Sequence, residues 1–185
     1  MQQEPFFVYL REKIDWAFSC DTKTNVLDAG NIVSSAFGSR CLVAPWAFSQ
    51  TPIVQAVNQL DDHEKTLVKF VVGLSVTHEE IVQMMVPLWA AFYQEYLVFH
   101  RLNSSSVPKA QRLLEFALMN YQLSVADRPL VISKKIMEAI DVSESKYSRD
   151  WKPRLRVMST VIAKIEHAAL KKVARCINNK RQEYA

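Results

Sequence analysis

Apolar positions recur along the chain at the three- and four-residue spacing of a helix face, with little of the strict alternation of a half-buried strand. The expected fold class is therefore all-α. Pro5, Phe6, Phe7, Leu10, Ile14, Trp16, Ala17 and Phe18 give a first helix with a broad apolar face. Asp21 to Thr24 is expected to end it, ahead of a second helix around Val26 to Phe37. Gly38 to Gln50, which includes Pro45, reads as a loop. Thr51-Pro52 then restarts a helix, because proline in the first helical position gives up only a donor that has no intrahelical partner.

Asp61 with Glu64 and Thr77 with Glu80 have capping-box spacing, in which each side chain satisfies a backbone N–H of the opening turn. Leu67, Phe70, Val71 and Leu74 lie between them, with Gly73 near the end of that helix. The next helix is expected from Thr77 to about Leu102, kinked or restarted at Pro87. Its Met84, Met85, Leu88, Trp89, Phe92, Tyr96 and Phe99 are read as core rather than as a cofactor box. Asn103 to Ser106 is a polar linker, Pro108 opens a helix through Leu123, and Asp127-Arg128-Pro129 closes that segment.

At 185 residues, 49% hydrophobic and with only 3 Gly and 7 Pro, the chain can bury a core and is not collagen-like, low-complexity or disordered. No apolar run reaches the roughly 18–20 residues needed to span a bilayer, and Glu4 stands where an export signal would be basic. Cys20, Cys41 and Cys176 are an odd number at wide spacings, expected as buried, reduced thiols. A cytosolic protein is expected, with no membrane partner and no cofactor.

Charge divides the chain. Residues 1–100 hold 6 Lys/Arg against 11 Asp/Glu, a balance of −5, whereas residues 101–185 hold 17 against 8, a balance of +9. Such crowding repels itself, and a polyanion relieves it by exchanging condensed counterions for fixed Lys and Arg; a solvated helix surface gives the same composition. Two functional parts follow: a helical body, 1–126, and a basic part, 127–185.

Within the basic part, Ile132, Ile136, Met137 and Ile140 make a short amphipathic helix, Asp141-Val142-Ser143 a turn, and Ser143 the cap of a second helix. This spacing fits a helix-turn-helix. Tyr147 and Trp151, one turn apart, are expected to pack inward, leaving Ser145, Arg149 and Lys152 on the opposite face. Arg149 is the candidate base reader, since a guanidinium can bond two acceptors of guanine at once. Ser145, Lys146 and Ser148 are candidates for base or phosphate contacts, and Lys134, Lys135, Lys152, Arg154 and Arg156 for phosphate neutralisation. A solvated basic face is the rival reading. Pro153 removes the donor to the Arg149 carbonyl, so a kink or fresh helix start is expected there. Beyond it Leu155, Met158, Ile162, Ile165, Ala169 and Val173 give a long terminal helix. Lys171, Lys172, Arg175, Lys180 and Arg181 near its end suit the helix dipole as well as they suit nucleic acid.

The run from Val142 to Pro153, followed by a helix with Glu166 and Ala168-Ala169-Leu170, resembles the C-terminal end of the late-gene antitermination proteins Q of lambdoid bacteriophages. Their aromatic-Ser-Arg-x-x-Lys-Pro pattern is matched by Tyr147, Ser148, Arg149, Lys152 and Pro153. The segment from Leu60 to Lys65 and the helices after it also look like one branch of that family. The resemblance implies a transcription antitermination factor that binds double-stranded late-promoter DNA and engages promoter-proximally paused bacterial RNA polymerase with its sigma factor. It then implies travel with the enzyme through terminators, with nascent RNA at the exit channel a further candidate contact. Ser148, Arg149 and Lys152 carry over to the DNA-binding helix; no motif carries over polymerase contacts. Zinc-containing relatives have paired cysteines absent here, so a metal-free variant is expected, its apolar core replacing zinc.

Other classes fare less well. Thr77-His78-Glu79-Glu80-Ile81-Val82 lacks the second histidine of a zinc-protease helix, and three glycines cannot build a glycine-rich nucleotide site. The chain is expected not to be an enzyme. A repressor or activator that stays at its promoter, and a purely protein-binding helical adaptor, remain as alternatives.

Overall fold

Every regular element among the described residues is helical, as the spacing of apolar positions requires. The computed structural model describes the backbone of residues 5–28, 45–97 and 102–183, and the side chains of residues 5–19, 52–96 and 102–179. The helices are α1 (Pro5–Asp28), α2 (Pro45–Asn58), α3 (Asp62–Val71), α4 (His78–Leu97), α5 (Val107–Val125), α6 (Ser133–Ile140), α7 (Glu144–Lys146) and α8 (Lys152–Glu183). A 3-10 turn, Ser104–Ser106, precedes α5, and a π-turn, Tyr147–Trp151, joins α7 to α8. Among the described residues no helix is long and apolar enough to cross a membrane.

By packing, the chain divides into two compact units: residues 62–168, and residues 1–61 with 169–185. In the first unit, Leu67 and Val71 of α3, Leu88 and Phe92 of α4, and Leu113, Leu114 and Ala117 of α5 share a core with Ile136, Ile140, Tyr147, Trp151, Met158 and Ile162. Burying each large apolar side chain contributes about 1.5–3 kcal/mol relative to leaving it in water. In the second unit, α1 packs on α2. Phe7, Leu10, Ile14 and Ala17 are buried at helical spacing, as are Ile53, Ala56 and Val57 of α2 and Ala169, Leu170 and Val173 of α8. Lys172 Nζ lies 3.3 Å from Asp61 Oδ2 in this unit. The half-buried Cys176 is a free thiol that donates to Gln59 Oε1; the side chains of Cys20 and Cys41 lie outside the described residues.

Three helix ends share one device. Gly73 (φ 85°), Asp127 (φ 51°) and Asp141 (φ 50°) are left-handed. The next residue's N–H reaches back a full turn, from Leu74 to the Lys69 carbonyl, from Arg128 to Leu123 and from Val142 to Met137. These are Schellman closures, which satisfy carbonyls the helix leaves without partners. The Gln122 side chain caps α3 as well, its Nε2 donating to the Phe70 carbonyl at 2.7 Å.

Several expectations change. Asp21 to Thr24 does not end α1, because none of the four is Gly or Pro and each weakens a helix by only a few tenths of a kcal/mol. The second expected helix, beyond Asp28, and the expected loop up to Ala44 lie outside the described residues. Proline does open α2, but it is Pro45, so residues 45–50 are helix rather than loop; Pro52 sits inside, where burial of Ile53, Ala56 and Val57 offsets one lost hydrogen bond. Pro87 does not reset α4, which runs from His78 to Leu97; residues 98–101, which the expected helix includes, lie outside the described residues, and Leu102 is not helical. The capping box at Thr77 forms: Thr77 N–H donates to Glu80 Oε2 (2.7 Å) and Glu80 N–H to Thr77 Oγ1 (3.2 Å).

Candidate nucleic-acid interface

The basic segment is built on a rigid turn. Helix α6 buries Ile136 and Ile140, ends at left-handed Asp141, and is followed after Val142 by Ser143 in extended conformation at the start of α7. Lys109 Nζ donates to the Asp141 carbonyl at 2.6 Å and lies 3.5 Å from its carboxylate, tying the turn to α5. Ahead of α6, Val131 N–H donates to the buried Asn120 Oδ1 at 2.8 Å. Ser143 occupies the capping position through its backbone: its carbonyl accepts the Tyr147 N–H at 2.8 Å, while its hydroxyl makes no cap bond.

Helical residues run without a gap from Glu144 to Glu183, but in three elements: α8 begins at Lys152 with Pro153 in its first turn, in line with the fresh start expected at the proline. The accommodation is the π-turn, in which Lys152 N–H donates to the Tyr147 carbonyl five residues back. An α-turn at this point would press the Arg149 carbonyl against the Pro153 ring, which the wider turn avoids.

Tyr147 and Trp151 are buried in the core, as their spacing predicts. Ser145 and Lys146 on α7, Ser148 and Arg149 in the π-turn, and Lys152 and Arg156 on α8 are exposed. Lys134 and Lys135 are exposed too, on the first turn of α6, which places them on a separate helix. Arg154 stands apart from the other cations. Half-buried, it lies 4.6 Å from the Trp151 ring centre and 5.5 Å from that of Tyr96, and its Nε donates to the Tyr96 hydroxyl at 2.8 Å. Its guanidinium is thus part of the packing around Trp151, whose buried indole Nε1 has no hydrogen-bond partner.

Arg149 has one acidic partner, its neighbour Asp150, which accepts from Nε at 2.9 Å and from Nη2 at 3.1 Å. Those hydrogen bonds hold the guanidinium above its ordinary pKa and the Asp150 carboxyl below the usual carboxylate range. Asp150, Lys109 and Asn120 were not singled out by sequence reasoning. Asp150 could have been, as the acidic residue between Arg149 and Lys152; nothing local marks Lys109 or Asn120, which act across the fold. Among the described residues no group of three or more His, Cys, Asp and Glu side chains is placed to hold a metal ion.

The family profile for phage antitermination protein Q fits residues 23–185, most of the chain, including the whole basic segment. No curated protein and no solved structure matches. With the matched region reaching from α1 to the end of α8, the chain belongs to the phage antitermination protein Q family, a family of transcription regulators acting in antitermination rather than of enzymes.

Proposed function

We propose that this antitermination factor loads from DNA. Residues 127–185 act as a helix-turn-helix unit on double-stranded promoter DNA. Residues 1–126 face the bacterial RNA polymerase paused with its sigma factor just downstream, in the host cytoplasm. The observation that carries the reading is the row of exposed cations Lys146, Arg149, Lys152 and Arg156 behind a tight turn, opposite the buried Tyr147 and Trp151. A major groove admits one helix, whose outward side chains meet base edges while flanking cations grip phosphates. Arg149 would read guanine; Ser145, Lys146 and Ser148 would contact bases or phosphates; Lys134, Lys135, Lys152 and Arg156 would neutralise the backbone. Arg154, held against Tyr96 and Trp151, would support the helix from behind. Nascent RNA at the exit channel is a further proposed contact.

The test is runoff transcription past an intrinsic terminator, on templates with matched or scrambled promoter DNA. Readthrough that needs both the intact chain and the matched promoter is the expected result. Unchanged readthrough on the matched template overturns the proposal.

A further inference from the structure

An arginine that reads guanine must present two parallel N–H groups in a fixed plane, and a free arginine on a surface wanders among rotamers. The cost of fixing it is taken from binding. Residues adjacent in sequence do not normally face each other on an α-helix. At Arg149 the wider π-turn brings neighbours closer in angle, and Asp150 grips the guanidinium from the side through both oxygens. Of the five N–H groups of an arginine, this grip uses the one on Nε and one on Nη2. Among the described residues no acceptor takes the other three. One N–H on each terminal nitrogen therefore still points away from Asp150, and this outer pair is the fork that matches O6 and N7 of guanine. Arg149 is about 74% exposed and Asp150 about 30%, so the fork is on the solvent side and its support lies against the body.

We propose that Asp150 is the positioning residue of the base reader: it holds the Arg149 side chain by its inner edge so that the terminal fork enters the groove already oriented. The inference rests on the DNA-binding reading above. It separates Asp150 from a competing role, in which a carboxylate merely occupies Arg149 until phosphate displaces it. A competitor weakens all DNA binding; a positioning residue strengthens binding to the chosen sequence and, through its charge, weakens binding to the rest.

The experiment uses the full chain, wild type and as Asp150→Asn, Arg149→Ala and the double variant, each checked by thermal melting. The probes are a short duplex carrying the consensus that the wild-type protein selects from a randomised library, and a scrambled duplex of equal composition. Asp150→Asn is expected to weaken selected-duplex binding about tenfold, to leave scrambled-duplex binding equal or a few-fold tighter, and no longer to weaken the selected duplex once Arg149 is Ala. Equal strengthening on both duplexes, or loss on Arg149→Ala with none on Asp150→Asn, overturns the positioning role and leaves the DNA reading standing. Indifference to Arg149→Ala removes Arg149 as reader, and the inference with it. Failure to select any consensus overturns sequence-specific DNA binding itself.

Discussion

The phenolic hydroxyl of Tyr121 on α5 donates to Oε2 of Glu166 on α8 at 2.8 Å, and Glu166 is wholly enclosed. A carboxylate in an apolar interior costs far more than the same group at the surface, and it persists there only when donors surround it. Tyr121→Phe keeps the ring and removes this donor. The expected loss is about 1–3 kcal/mol of unfolding free energy, read by urea titration, with the α-helical content of the folded state unchanged.

This pair also marks where the sequence stops being legible. Tyr147 and Trp151 were readable as inward-facing because they are one helical turn apart, and Thr77 with Glu80 because the capping box is local. Glu166 was visible as part of a motif, but its burial depends on Tyr121, 45 residues away. The continuity of α1 through Asp21–Thr24 was missed for a related reason, and at Pro87 the sequence allowed either a kink or a restart of α4: weak helix formers and prolines break a helix only when packing does not offset their cost. In the basic segment the exposed face was legible from periodicity. The π-turn, the inward stacking of Arg154 and the Asp150 grip on Arg149 were not, since each depends on backbone geometry that Pro153 helps to set.

Arg154 belongs to that second group, and its role is separable from those of its neighbours. Arg154→Ala removes a stacked guanidinium from Trp151 and a donor from the Tyr96 hydroxyl. It is expected to lower unfolding free energy by about 1–2 kcal/mol, through lost packing as much as lost charge. Arg156→Ala, on the exposed face, is expected to change it by less than about 0.5 kcal/mol. Paired melting curves in the absence of DNA check both.

The left-handed helix ends offer a change in the stabilising direction. Asp127 holds φ 51° with an exposed side chain, a conformation that crowds Cβ in any L-residue and that glycine adopts freely. Asp127→Gly is expected to raise stability by about 0.5–1 kcal/mol, and Asp127→Val, β-branched, to lower it. Asp141 is the less suitable site, because its carboxylate also meets Lys109.

The capping box at α4 sets a pH dependence. Hydrogen bonds from the backbone and hydroxyl of Thr77 hold the Glu80 carboxyl below the usual carboxylate range, with smaller help from Lys69 and Lys65. A group whose pKa is depressed on folding stabilises the fold above its unfolded pKa, and that contribution disappears as pH falls through the folded value. The stability difference between wild type and Glu80→Gln is thus expected to be constant from neutral pH down to the ordinary carboxylate range and to shrink on further acidification. Urea melts across that window, together with the titration of the Glu80 side-chain carbon by NMR, read it directly.

The exposed cations make the most quantitative prediction for DNA. Each Lys or Arg that neutralises a phosphate releases condensed counterions, so the slope of log affinity against log salt loses about 0.9 for every such contact removed. Lys146→Gln, Lys152→Gln and Arg156→Gln are each expected to flatten that slope by about this amount and to weaken selected and scrambled duplexes alike. Lys164 supplies the control: it lies on the same long helix, exposed, but is paired with Glu95. Lys164→Gln is expected to leave the slope unchanged, because a lysine already held by a carboxylate displaces few counterions. If Lys164→Gln flattens the slope as much as Lys152→Gln does, the cations act as a diffuse charged coat, and a helix seated in one groove no longer describes how this protein meets DNA.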